Sequence, residues 1–256
     1  MVDVVVLAGR RNEGELKAVS QVAWEALVPI AGKPMAAWVL DALKASGVAE
    51  RIVVVGPEEL APFLREQDAV ITPSDDLIEN VRRGAHAVSL QHPLLVATSD
   101  IPMLTPAAVA AFVAAAASVP AEFHYPVVLR QDVEKRFPGN KRTYVKLADG
   151  TFTGGNIVLL DPRSAPRAIG VAEELVAMRK KPWRLALKLG TGFMLRLLLG
   201  RATVAEAEGR FSRLLGVVSR AVPLPYAEIG VDVDHPGDVP FCERELRGRD
   251  EGASGG

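Results

Sequence analysis

Short, wholly aliphatic runs separated by helical patterns fill residues 1–120, and they narrow the fold more than any other feature of the chain. Val4-Val5-Val6-Leu7-Ala8 ends at Gly9, Ile52-Val53-Val54-Val55 ends at Gly56, and Pro93-Leu94-Leu95-Val96-Ala97-Thr98 ends at Ser99-Asp100. Runs that are apolar on both faces suit strands buried inside a parallel sheet with helices on either side. Helical patterns occupy the gaps. Pro34 to Ala45 follows a Gly-Lys-Pro turn and stops at Gly47. Asp76 to Ser89 starts behind Thr72-Pro73-Ser74-Asp75, which offers capping oxygens, and Pro106 to Ser118 starts behind Thr105. Strand, helix, strand at this spacing implies right-handed crossovers and an α/β, doubly wound, mostly parallel sheet.

The second half is less regular. Strands are expected at Phe123–Leu129, Thr143–Leu147, Asn156–Leu160, Val217–Val222 and Glu228–Val231, with helices over 164–180, 183–200 and 203–215. No Pro/Gly/Ser-rich linker divides the chain, so one domain is expected over 1–248. It carries a helical elaboration at about 164–215 and a disordered polar tail at 249–256.

The composition, 49% hydrophobic and 24% charged over 256 residues, is that of a globular protein. Thirty basic and 31 acidic residues give a net charge of −1, which argues against a nucleic-acid partner bound through its phosphates. Cys242 stands alone, His86, His92, His124 and His235 lack zinc-ligand spacing, and no basic leader precedes the first strand. A cytoplasmic protein is expected. Leu185 to Gly200 carries Lys188 and Arg196 and is too short to span a bilayer. It reads as a largely buried helix, or alternatively as a peripheral membrane or subunit contact at about 185–200.

Ligands of an open parallel sheet sit beyond the carboxyl ends of its strands. Gly9, Gly56 and Asp100 mark three such ends. Gly9 would let backbone N–H groups approach an anion, while Arg10, Arg11 and Lys17 could bond phosphate oxygens; the same residues also suit a plain turn with solvated charges. The loop lacks the glycines of a Walker A or dinucleotide fingerprint. Asp100, in a turn shaped by Pro102, could coordinate a hard cation such as Mg2+, or merely cap the turn. Asp232 and Asp234 share one side if extended, and either could complete that site. Arg142, Lys146, Gly154, Gly155 and Asn156 form a third group, suited to a sugar hydroxyl or phosphate, or to a hairpin turning at Asp149-Gly150.

In chain order, Leu7-Ala8-Gly9, Val28-Pro29-Ile30-Ala31-Gly32-Lys33-Pro34-Met35, Val53-Val54-Val55-Gly56, Thr98-Ser99-Asp100-Ile101-Pro102-Met103-Leu104 and Gly230-Val231-Asp232 resemble the MobA-like nucleotidyltransferases. The resemblance runs from residue 3 to about 245 and implies the nucleotide-diphospho-sugar transferase fold, of the GT-A, Rossmann-like type. It implies that Leu7, Ala8, Gly9, Arg10, Arg11 and Gly56 meet the nucleotide, with Asn80 and Gly84 near the base. It further implies Asp100 and Asp232 as metal ligands and Gly154, Gly155 and Asn156 on the acceptor side. Glu25 stands where many relatives place a lysine, and Lys17 is assigned that catalytic role instead. The implied reaction is Mg2+-dependent transfer of a nucleotidyl group from a nucleoside triphosphate to a small phosphorylated acceptor, with release of pyrophosphate. A glycosyltransferase of the same fold and a non-catalytic nucleotide-binding or membrane-associated protein are the alternatives.

Overall fold

The computed structural model describes residues 1–89, 91–140, 142–178 and 188–253. Its first half follows the aliphatic runs. Strand β1 is Val2–Leu7, and a two-pair hairpin of β2 (Pro29–Ile30) and β3 (Lys33–Pro34) leads into helix α1 (Met35–Ala45). Ala31 (φ 47°) and Gly32 (φ 88°) make the hairpin turn, so the Gly-Lys-Pro signal is a hairpin before it is a helix start. Then come β4 (Ala49–Val55), β5 (Ala69–Ile71), α2 (Leu77–Ala87), β6 (Leu94–Thr98) and α3 (Pro106–Ala117). The capping oxygens act as their sequence suggests. Asp76 accepts from the Glu79 N–H at 2.7 Å, and Thr105 accepts from the Ala108 N–H at 3.2 Å.

Strands β5, β4, β1 and β6 lie side by side and parallel. Val4 and Val6 face α1 and α3, while Val5 faces α2; all three are fully buried. Burial on both faces is why these runs do not alternate.

The second half adds β7 (Phe123–Leu129), α4 (Arg130–Arg136), the β8 (Val145–Leu147) and β9 (Gly150–Gly154) hairpin, and β10 (Ile157–Leu160). Helices α5 (Ala165–Met178), α6 (Thr191–Leu198) and α7 (Val204–Leu215), strand β11 (Ser219–Pro223) and helix α8 (Asp238–Ala253) follow. Strand β10 runs antiparallel to both β6 and β7, and β11 pairs parallel with β7 on its opposite edge. Strands β9 and β10 share one edge of β7. Leu159 pairs with His124 and Gly154 with Val127, so four residues on this edge face two on β7. Residues 155–158 therefore contain a bulge of two extra residues. The result is a mixed α/β domain with a largely parallel central sheet, the fold class read from the sequence.

Several elements differ from the sequence expectation. Glu228–Val231 is not a strand: Ala227–Gly230 forms a 3-10 turn whose Ile229 carbonyl accepts from the Asn156 N–H, so the segment is pinned to the bulge and has no ladder. Helix α8 replaces the start of the expected disordered tail, because Cys242 and Leu246 bury one face and Arg249 donates to the Met103 carbonyl at 2.8 Å. Residues 254–256 lie outside the described part, as do 179–187 of the two expected helices around them. Within α6 and just past it the largely buried reading fails. Phe193 packs inward, but Leu195, Leu198 and Leu199 are exposed. Among the described residues no helix is long and apolar enough to cross a membrane.

Candidate active site

Three strand ends meet at one edge of the sheet, as the pattern requires. The Ser99 N–H donates to the Leu7 carbonyl, the Ala8 N–H to Val55 and the Gly56 N–H to Ile71, which places Gly9, Gly56 and Asp100 side by side. A Cβ on Gly9 would lie 2.5 Å from the Pro73 Cβ and 3.1 Å from the Asn80 amide nitrogen. Asn80 is buried, accepting from the Ser74 N–H and donating to the Ser74 carbonyl, so it fixes the wall that Gly9 touches. A Cβ on Gly56 would lie 2.7 Å from that of Ala8, and one on Gly84 would overlap a methyl of Val5. Gly56 and Gly84 thus have packing reasons to be glycine. Gly84 sits inside α2 against β1.

The loop after Gly9 is held by its own residues. Asn12 donates to the Ser20 and Val22 carbonyls, and the Arg11 guanidinium stacks 3.8 Å over the Trp24 ring. Arg10 reaches the buried carboxylate of Glu25 at 3.1 Å and Asp234 at 3.4 Å. Burial raises the Glu25 pKa, the Arg10 charge opposes that, and Asp234 adds to it. Lys17 lies on an exposed 3-10 turn, Glu15–Ala18. On the same turn, Glu15 bonds His235 at 2.9 Å and raises its pKa.

Opposite this loop, Asp100, Asp232 and Asp234 each present a carboxylate oxygen within 4.8 Å of the others. The backbone enforces the grouping, since the Val233 N–H donates to the Asp100 carbonyl at 2.8 Å. Burial pushes the Asp100 carboxyl up to about 6; the Thr98 hydroxyl, donating to it, pulls the other way, and Asp232 and Asp234 push it further up. Three acidic groups gathered without a matching number of cations suit a divalent ion with oxygen ligands. Arg142 pairs with the Asp232 carboxylate and also donates to its carbonyl.

The acceptor-side candidates separate. A Cβ on Gly155 would lie 2.5 Å from Ile229 and 2.7 Å from Pro126, and one on Gly154 would overlap the Tyr125 hydroxyl. Both glycines therefore let neighbouring segments close on the bulge. Asn156 accepts from the Thr98 N–H and donates to Ile229 through its backbone, tying the end of β6 to the segment that carries Asp232. Its side-chain Nδ2 is buried with no hydrogen-bond partner in the protein, as are Arg142 Nε, Tyr144 Oη and Asn140 Oδ1. Orphaned buried polar atoms are uncommon, and these four lie on segments flanking Asp232. Lys146 is exposed and lies along Gly200, away from this set.

Sequence spacing does not pick out Thr98 as the Asp100 partner or Glu25 as the anchor of Arg10. Thr98 stands only two residues from Asp100, yet a hydroxyl at that spacing is too common to single out, and the Arg10–Glu25 pair depends on the loop folding back on itself.

The MobA-like NTP transferase domain matches residues 4–185. No curated protein matches the chain. Among solved structures, a hypothetical transferase from Thermus thermophilus is 42% identical, with a TM-score of 0.82, over 93% of this chain and 99% of that one. A CMP:2-keto-3-deoxy-manno-octonic acid synthetase, solved with CTP, shares the fold at 13% identity and a TM-score of 0.64, covering 97% of this chain and 100% of its own. So does 2-C-methyl-D-erythritol 4-phosphate cytidylyltransferase, also from Thermus thermophilus, at 15% identity and a TM-score of 0.54, with 95% and 98% covered.

Proposed function

The chain belongs to the MobA-like NTP transferase family, and we propose that it moves a nucleotidyl group from a nucleoside triphosphate to a small phosphorylated acceptor. The observation that carries this reading is the convergence of Asp100, Asp232 and Asp234 beside the Gly9 loop. An acceptor oxygen attacks the α-phosphorus, the bond to the β-phosphate breaks, and pyrophosphate leaves. Such chemistry depends on positioning and on charge stabilisation, and needs no nucleophilic side chain.

The residues divide the work as follows. Gly9 and the backbone after it lie against the triphosphate, with Asn80 shaping the wall for the base. Arg10 and Arg11 supply positive charge, and Lys17, exposed on the Glu15–Ala18 turn, adds a further cation. Asp100, Asp232 and Asp234 would hold Mg2+, which when bound neutralises phosphate charge. Arg142 and Asn156 orient the acceptor with the polar atoms the protein leaves unpaired. Cys242 is buried and its thiol is pushed up to about 12, so it takes no part in the chemistry.

The test is a thermal-shift series with the four common ribonucleoside triphosphates, with and without Mg2+, on the wild type and Asp100→Ala. Ligand that binds the native state alone raises the melting temperature. A Mg2+-dependent rise with one triphosphate, lost in Asp100→Ala, is the expected result. Folded protein that responds to none of the four overturns the proposal.

A further inference from the structure

Glu25 opens the 3-10 turn Glu25–Leu27 with its side chain only 6% exposed, yet the cation paired with it is not buried beside it. The Arg10 side chain is 67% exposed. A carboxylate taken out of water and matched by a cation left in water adds little stability, because desolvation falls on one partner while solvent screens the attraction at the other. Burial accordingly raises the Glu25 pKa in spite of Arg10. The pair makes sense through what it does to the arginine.

The backbone sets the two residues against each other. The Glu25 N–H donates to the Arg10 carbonyl and the Asn12 N–H to the Ala23 carbonyl, so residues 10–12 and 23–25 lie side by side, with Arg11 opposite Trp24. Across this pairing Oε2 of Glu25 lies 3.1 Å from Nε of Arg10, and Nη1 points on toward Asp234 at 3.4 Å. An arginine held at Nε keeps both Nη nitrogens for a planar, two-pronged contact with phosphate oxygens. The same hold restricts a long side chain before any ligand arrives, so less rotamer freedom is lost on binding. Because Arg10 directly follows Gly9, its fork stands between the glycine turn and the acidic cluster.

We propose that Glu25 is a positioning residue, whose buried carboxylate holds Arg10 at Nε and so aims its two Nη nitrogens at the phosphate oxygens of the triphosphate. The inference rests on the transferase reading and adds to it the group that orients one of its cations.

Calorimetry with ATP, GTP, CTP and UTP in Mg2+ first selects the triphosphate that the wild type binds most tightly. By charge alone, Glu25→Gln removes a negative group from beside an anion site and tightens binding. Positioning gives the opposite sign: Glu25→Gln weakens binding about tenfold, as Arg10→Gln does, and in an Arg10→Gln background it costs nothing further. Glu25→Asp, which keeps the charge but withdraws it by one carbon, weakens binding by a smaller factor; should Glu25→Gln fail to fold, the same cycle run with Glu25→Asp decides the matter. Melting temperatures without ligand check that each variant is folded. Binding unchanged or tightened by the Glu25 variants, or losses that add in the double variant, overturns the proposal and leaves the transferase reading standing. A folded wild type that binds none of the four triphosphates removes both.

Discussion

The two halves of the sheet solve the same packing problem with different completeness. Around β1, β4 and β6 both faces are filled, and Val4, Val5, Val6, Ile52, Val53 and Val54 lose all contact with water. Around β7, β8 and β9 one face is sealed by Val128 and Val133, while the other looks across an open hollow at α7. The filled half ends in the aspartate that anchors the acidic cluster; the half-filled one supplies the unpaired atoms of Asn140, Arg142, Tyr144 and Asn156. Rigid strands thus hold the group whose charge is hardest to bury, and the looser half offers room for what is not part of the chain.

That contrast predicts unequal costs for the same substitution. Phe112→Ala, under the filled face, should cost about 3–5 kcal/mol, whereas Phe211→Ala, over the hollow, should cost less than about 1 kcal/mol. Chemical denaturation of both variants measures this, and equal costs would erase the distinction between the halves.

The contrast also explains what could be read in advance. Strands apolar on both faces announce themselves as unbroken runs, so β1, β4 and β6 were legible, and their shared edge placed Gly9, Gly56 and Asp100 together. Helix α4 was not, since Val133 is its one buried residue and a single apolar position has no period. Helix α8 was hidden for a similar reason: Cys242 and Leu246 are set among charges, and the sequence read as a tail from residue 249. Of the site, Asp100 and the acidic pair were visible as residue types. The roles of Glu25 and Asn156 arise from contacts between separate segments that no local pattern encodes, and Thr98, two residues from Asp100, carries no signal of its own in the sequence.

A second prediction sharpens the view of Asp100 as a group the filled half strains to hold. Its pKa is raised to about 6 from 3.8, so it favours the folded state when protonated and disfavours it when charged. The stability it contributes is full below about 3.8 and is lost as pH rises through about 6. In chelator, Asp100→Asn should therefore stabilise the protein by about 2–3 kcal/mol at pH 8, with the gain fading toward pH 4, while turnover disappears. Denaturation across that pH range decides it; a variant less stable at pH 8 would contradict the strained-carboxylate account.

The smallest effect lies on the surface between the halves. Glu15→Gln should lower the pKa of His235 toward its ordinary value, because the carboxylate beside it is what raises it. An imidazole titration followed by NMR reports the change, and an unmoved His235 would mean that the Gly9 loop and the 232–235 segment do not touch in solution.

The bulge between β9 and β10 has a consequence in parity. Side chains of a strand alternate, so a slip of one residue turns every later side chain over, whereas a slip of two restores each to its side. Phe152 and Gly154 line the hollow, and Leu160 packs in the core on that same face, because the interruption between them is even. The chain can thus step out of register to bring Asn156 beside the acidic segment and step back in with its faces intact. Deletion of one bulge residue would exchange inside for outside along β10; deletion of both would leave the sheet correctly faced and the site unassembled.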